Sequence, residues 1–319
     1  MRALELTDGQ LHLRTDYSVP SVPDDATRVH VIQAGICETD LQLVAGYMGF
    51  SGIPGHEFVG IAESGPFAGQ RVVGEINCTC QQCEFCQRGL GNHCPNRSVI
   101  GILNHDGAFA DSLVVPHANL HRVPDDMSND LATLVEPVAA ALQIAEQVQL
   151  TSDMRAIVVG DGRLGNLCAQ ALKPHVKEVA VVGKHPEKLK TFENLGITTY
   201  LLDAIPRDLS ADVVVDCAGS NSGMQTALSL VRPRGTVVMK TTVASEHQLA
   251  LASIVIDEIT VVGSRCGPFA KAIAAICEGQ FKLDDFVTAR FPMRDFEAAF
   301  QRAVDKDALK VILEIADTD

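Results

Sequence analysis

From residue 155 the chain alternates short apolar runs with helical stretches, and its first switch is rich in glycine. Ala156-Ile157-Val158-Val159 is followed at once by Gly160-Asp161-Gly162-Arg163-Leu164-Gly165 and then by an apolar helical pattern. Further apolar runs predict strands over 179–182, 212–216, 236–239 and 259–262, and helices over 164–172, 186–195, 222–231 and 269–278. Pro174 and Gly196 stop the first two helices. Strands that are apolar throughout, rather than alternating, must be covered on both faces. A sheet with helices between its strands provides that cover, so this half is α/β with a doubly wound parallel sheet. The tail adds a helix over 296–304 and a strand over 310–315.

The glycine run has a chemical reading in this strand–turn–helix context. Its three glycines, Gly160, Gly162 and Gly165, allow the tight turn, a close approach of pyrophosphate and close helix–strand packing. Arg163 and Leu164 open the helix, whose N-terminal amides and partial positive charge suit phosphate. A dinucleotide is therefore the expected ligand. A site for NAD usually carries an acid about 20 residues further on, where it accepts from the ribose 2′-hydroxyl. This chain has Gly183-Lys184-His185 there, with no acid and two potentially cationic groups, so NADP is expected in preference to NAD.

Residues 1–125 read differently: rich in Gly, Pro, His and Cys, with β-branched runs such as 28–36 and 70–73. A turn at Val123-Pro124-Asp125-Asp126 leads to a helix over 134–148. Pro137 suits the first helical position, which puts Glu136 at the helix start in an extended conformation. Within 78–95, Cys80, Cys83, Cys86 and Cys94 form a compact set whose thiolates can close a tetrahedron around a structural zinc ion. Cys78 is left over as a bystander.

A second set is dispersed: Cys37, then His56-Glu57, then Glu136. Together they offer a thiolate, an imidazole and one or two carboxylates, which suits zinc with an open position. These motifs, the four-cysteine lobe and the glycine loop are similar to those of the medium-chain dehydrogenase/reductase superfamily. Within its zinc-containing alcohol dehydrogenases, Glu57 and Leu134-Val135-Glu136-Pro137 resemble the sorbitol, threonine and glucose dehydrogenase branch.

The resemblance implies a GroES-like β-rich catalytic domain over 1–125 and 286–319, and a Rossmann domain over 126–285. It implies two zinc ions per chain, with Cys37 and His56 as catalytic ligands and Glu57 or Glu136 in the remaining place. Thr39 would bond the substrate oxygen. Many relatives carry His five positions after the first ligand to relay a proton; this chain has Gln42. The implied reaction is hydride transfer between NAD(P) and an alcohol, a polyol or the matching carbonyl compound. Such relatives pair through the edge of the Rossmann sheet, so a homodimer or homotetramer is expected, with 259–264 as the edge.

Composition narrows the partners. A net charge of −14 repels nucleic acid and anionic membrane surfaces. No apolar run approaches the roughly 18 residues of a membrane span, and the start lacks a signal-peptide core, so a cytoplasmic enzyme is expected. Two other readings are a metal-free quinone or enone reductase of the same fold and a non-catalytic NADPH-binding protein.

Overall fold

A computed structural model describes residues 1–241 and 251–316. Contacts divide the chain into two compact units: Met1–Glu136 with Ala272–Cys277 and Leu283–Asp319, and Pro137–Lys271 with Glu278–Lys282. The first unit thus takes in 126–136, 272–277 and 283–285, which the sequence reading assigns to the dinucleotide half.

The first unit is built on a seven-stranded sheet organised by one long strand, Ala26–Ile36. Its first half pairs with Ser112–Pro116, its second half with Lys310–Glu314, and Glu57–Ala62 runs along its other edge. All three pairings are antiparallel. Two consequences matter for chemistry. The register sets Gly35 opposite Glu57, so the end of the long strand delivers Cys37 beside His56 and Glu57. It also sets Gly35 opposite Ile312, which brings the start of a strand from the far end of the chain to the same place. The core beneath includes an edge-to-face pair, Phe109 and Phe300, with ring centroids 5.9 Å apart.

The second unit contains a six-stranded sheet, all parallel. Across the sheet the strands run Thr198–Leu201, Glu178–Gly183, Arg155–Val159, Ala211–Asp216, Val231–Met239 and Thr260–Gly263. Numbered in chain order this is 3-2-1-4-5-6, the order of doubly wound dinucleotide-binding sheets. The reason lies in the central strands: Ile157, Val158, Val181, Val214, Val215, Val237 and Val238 are all buried between helical layers. The connecting helices Arg163–Leu172, Pro186–Asn194 and Asn221–Leu230 lie within one residue of their expected bounds.

Two expectations need correction. Thr198–Leu201 is a strand that periodicity misses, because it is short, half polar and paired on one side only. And Glu136 is helical rather than extended: the helix runs Val135–Gln147, with Pro137 still inside the first turn, where its missing amide costs no hydrogen bond.

Candidate functional site

Cys37 leaves the long strand in an extended conformation (φ −98°, ψ 161°) and caps the helix Glu38–Val44. One turn on, Asp40 is fully buried and fastens this corner. Its Oδ2 accepts from the Cys37 amide at 2.8 Å, and its Oδ1 accepts from the Gly55 amide at 3.1 Å. The same Oδ1 faces His56 Nδ1 at 3.4 Å. The carboxylate stands against one ring nitrogen, without the alignment of a hydrogen bond, which turns Nε2 to the ligand side. Burial disfavours the charged imidazole, but Asp40 and then Cys37 outweigh it, and the His56 pKa lies well above its ordinary value.

Cys37, His56 and Glu57 each bring a ligand atom within 4.8 Å of the others. Thr39 Oγ1 lies 3.9 Å from Cys37 Sγ. Glu57, 1% exposed, forms a buried ion pair with Lys310, whose Nζ also reaches the Ile36 carbonyl at 3.4 Å. Gly35 is required by this pair: a Cβ there would stand 2.6 Å from Glu57 Oε2 and 3.0 Å from Lys310 Cδ. Glu136, half-buried in the first turn of its helix, is not a member of this group.

Sequence reasoning missed Asp40 and Lys310. Asp40 had a signal, an acid three residues after a helix cap. Lys310 had none, being 253 residues from Glu57.

The four thiols of Cys80, Cys83, Cys86 and Cys94 also lie within 4.8 Å of one another. Sulfur–sulfur distances are 3.5 Å for Cys83–Cys86, 3.8 Å for Cys83–Cys94 and 3.5 Å for Cys80–Cys94. A tetrahedron with Zn–S of about 2.3 Å requires sulfurs about 3.8 Å apart, so the set fits zinc with little adjustment. The backbone amides of Gln82 and Cys83 draw the Cys80 pKa down to about 6, favouring the ligating thiolate. Cys78 stands outside the set, its thiol pushed up to about 12 by burial.

In the second unit the glycine loop fits pyrophosphate. Gly160 has φ +125°, in the left-handed half of conformational space, and a Cβ there would lie 2.6 Å from the Cys217 carbonyl. A Cβ on Gly165 would lie 2.1 Å from the Gly160 carbonyl, whereas one on Gly162 would meet nothing within 4 Å. The middle glycine therefore faces open space at the N-cap of Arg163–Leu172, where no side chain caps the helix. Uncapped amides beside open space are what a phosphate needs.

Gly183 ends the second strand, with Lys184 exposed and His185 partly buried beyond it. Asp161 Oδ2 accepts from the amides of Lys184 at 2.7 Å and His185 at 2.8 Å. His185 Nδ1 lies 3.1 Å from the same oxygen. Burial pushes the Asp161 carboxyl up, but these donors prevail and hold it below its ordinary value, so it is charged.

Residues 23–125 match the model of the alcohol dehydrogenase GroES-like domain, and 129–315 match that of the glucose dehydrogenase C-terminus. The chain belongs to the zinc-containing alcohol dehydrogenase family of the medium-chain dehydrogenase/reductase superfamily, and is an NAD(P)-dependent dehydrogenase. It is 30% identical to the erythritol/L-threitol dehydrogenase of Mycolicibacterium smegmatis, an alignment covering 93% of each chain. An alcohol dehydrogenase from Escherichia coli solved with NADH shares the fold at a TM-score of 0.91 and 24% identity, covering 99% of each chain. A zinc-binding dehydrogenase from Sinorhizobium meliloti solved with NADP does so at 0.88 and 24% identity, covering 98% of this chain and 99% of that one. Among the described residues no helix is long and apolar enough to cross a membrane.

Proposed function

We propose that this dehydrogenase interconverts a polyol or related secondary alcohol and its carbonyl form at a catalytic zinc site held by Cys37, His56 and a glutamate. The observation that carries the reading is the convergence of Cys37, His56 and Glu57 within 4.8 Å, with the Thr39 hydroxyl beside them. Glu57 is the better candidate for the third ligand because it belongs to that group. Glu136 is the alternative, in the first turn of Val135–Gln147. A polyol is favoured because the M. smegmatis relative acts on erythritol and L-threitol.

When bound, zinc supplies a Lewis acid that acidifies an alcohol hydroxyl, and the dinucleotide supplies the hydride acceptor. Thr39 orients the substrate oxygen through its hydroxyl. Asp40 keeps the His56 ring and the Cys37 corner in register. Lys310 neutralises Glu57 where a lone carboxylate would be costly to bury. Gln42 donates to Glu38 Oε1 at 3.1 Å and has no ionisable group, so the substrate proton leaves through water rather than along this side chain.

The second zinc is structural, held by Cys80, Cys83, Cys86 and Cys94, giving two zinc ions per chain. NADP is the preferred cofactor: Gly183 removes the usual acid, Lys184 supplies positive charge and His185 a potentially cationic ring. Assembly is through the edge strand Thr260–Gly263, giving a homodimer or homotetramer. Supporting this, Leu251, Val255 and Ile256 of the preceding helix are 62%, 76% and 77% exposed. A cytoplasmic location is supported by ten cysteines of which none is in a disulfide.

The test is a panel of alcohols and polyols given to the purified protein, with reduced-cofactor absorbance followed for NAD and NADP. Zinc-dependent polyol oxidation supports the reading. Quinone or enone reduction that persists after zinc removal, without any alcohol oxidation, would replace it with the metal-free reductase.

A further inference from the structure

The end of the strand Glu178–Gly183 is where a Rossmann site meets the adenosine ribose, and in this chain it carries no acid of its own. It does carry an anion pocket. The successive amides of Lys184 and His185, with His185 Nδ1, converge on a single point, and successive backbone amides of this kind form a concavity for anions. The pocket is filled from within, by the carboxylate of Asp161, the second residue of the glycine loop. Its side chain is only 10% exposed.

Geometry ties this occupant to Gly183. A Cβ on Gly183 would stand 2.6 Å from Asp161 Oδ2 and 2.7 Å from Asp161 Cβ. An acid on the strand and an acid at position 161 therefore exclude each other. The negative charge at this place is attached to the loop rather than to the strand.

We infer that Asp161 is the residue that discriminates between a 2′-hydroxyl and a 2′-phosphate on the cofactor's adenosine ribose. A hydroxyl can donate to the carboxylate without disturbing it. A phosphate brings a second anion to donors that Asp161 already holds, and like charges at one site disfavour each other. Exposed Lys184 pulls the other way. The two groups oppose each other, and the protein's preference for NADP is smaller than Lys184 and His185 alone would give. This rests on the reading that the second unit binds a nicotinamide dinucleotide.

The experiment is calorimetric titration of NAD and NADP into wild-type protein and Asp161→Asn, with melting recorded for each. The asparagine retains an oxygen for both amides while removing the charge. The expected result is an NADP-to-NAD affinity ratio raised roughly tenfold or more in Asp161→Asn. An unchanged ratio, with both dinucleotides still binding, would overturn the inference and leave the dinucleotide site intact. A wild type that bound neither would overturn that reading and the inference with it.

A second arm does not depend on the asparagine variant folding. Gly183→Asp alone should melt lower and lose dinucleotide affinity, because its side chain meets Asp161. Combining it with Asp161→Gly should restore NAD binding while NADP binding stays weak. Gly183→Asp behaving like wild type in melting and in both affinities would contradict the exclusion on which the inference stands.

Discussion

The two candidate metal centres gather their ligands in opposite ways. The four-thiol lobe draws all its ligands from Cys80 to Cys94, on a short loop with one four-residue helix. The set of Cys37, His56 and Glu57 is assembled by a strand end, a loop and the start of a second strand. It is braced by Asp40 and by Lys310 from the far end of the chain. A local loop has little else to order it, so its metal and its fold depend on one another. The dispersed set is held by sheet register and buried polar contacts, which persist when a ligand is changed. The first centre should therefore answer to mutation in stability and the second in turnover.

The largest effect is expected at the dispersed set. Cys37→Ala or His56→Ala should lower kcat/KM about a thousandfold or more, since metal activation is worth several kcal/mol of barrier. Melting should move little, and dinucleotide titration should be unchanged. A large loss of melting temperature in these variants would erase the contrast.

The lobe should show the reverse. Cys83→Ser is expected to lose one zinc ion and several kcal/mol of stability, while the folded fraction turns over at a near wild-type rate. Unaltered melting and full zinc would remove the structural role.

Lys310→Met sharpens the comparison, because it breaks the brace on Glu57 without replacing a proposed ligand. In the zinc-free protein, leaving Glu57 buried and unpaired should cost about 3–5 kcal/mol of stability. Calorimetry that found the variant as stable as wild type would show that the pair does not support the site.

The smallest effect is expected from Asp40→Asn. The side chain still accepts hydrogen bonds but loses the charge facing His56, and loss of such an outer partner typically lowers metal affinity or activity about 10–100-fold. Zinc competition with a chelator measures it; affinity equal to wild type would deny Asp40 its positioning role.

The same contrast explains what could be read in the sequence. The lobe was legible because its ligands lie within one loop and the spacing of Cys80, Cys83, Cys86 and Cys94 carries the geometry. The parallel sheet was legible because Ile157, Val181, Val214 and Val237 belong to strands apolar enough to demand cover on both faces. The dispersed centre emerged only as separate fragments, joined by resemblance, since nothing local relates Cys37 to His56. Lys310 was invisible: its place depends on the register of Lys310–Glu314 against Ala26–Ile36, and periodicity carries no register information between distant strands. Thr198–Leu201 was invisible for a different reason, having an edge strand's weak pattern. Asp161 carries no local signal, because its role depends on the strand end at Gly183 and the amides beyond it.

Metal analysis of the purified protein separates two proposed zinc centres of different kind from a single one. Elemental mass spectrometry should find two zinc ions per wild-type chain, one in Cys37→Ala and one in Cys83→Ser. One zinc ion in wild type, retained in Cys37→Ala, would mean that the dispersed set of Cys37, His56 and Glu57 holds no metal.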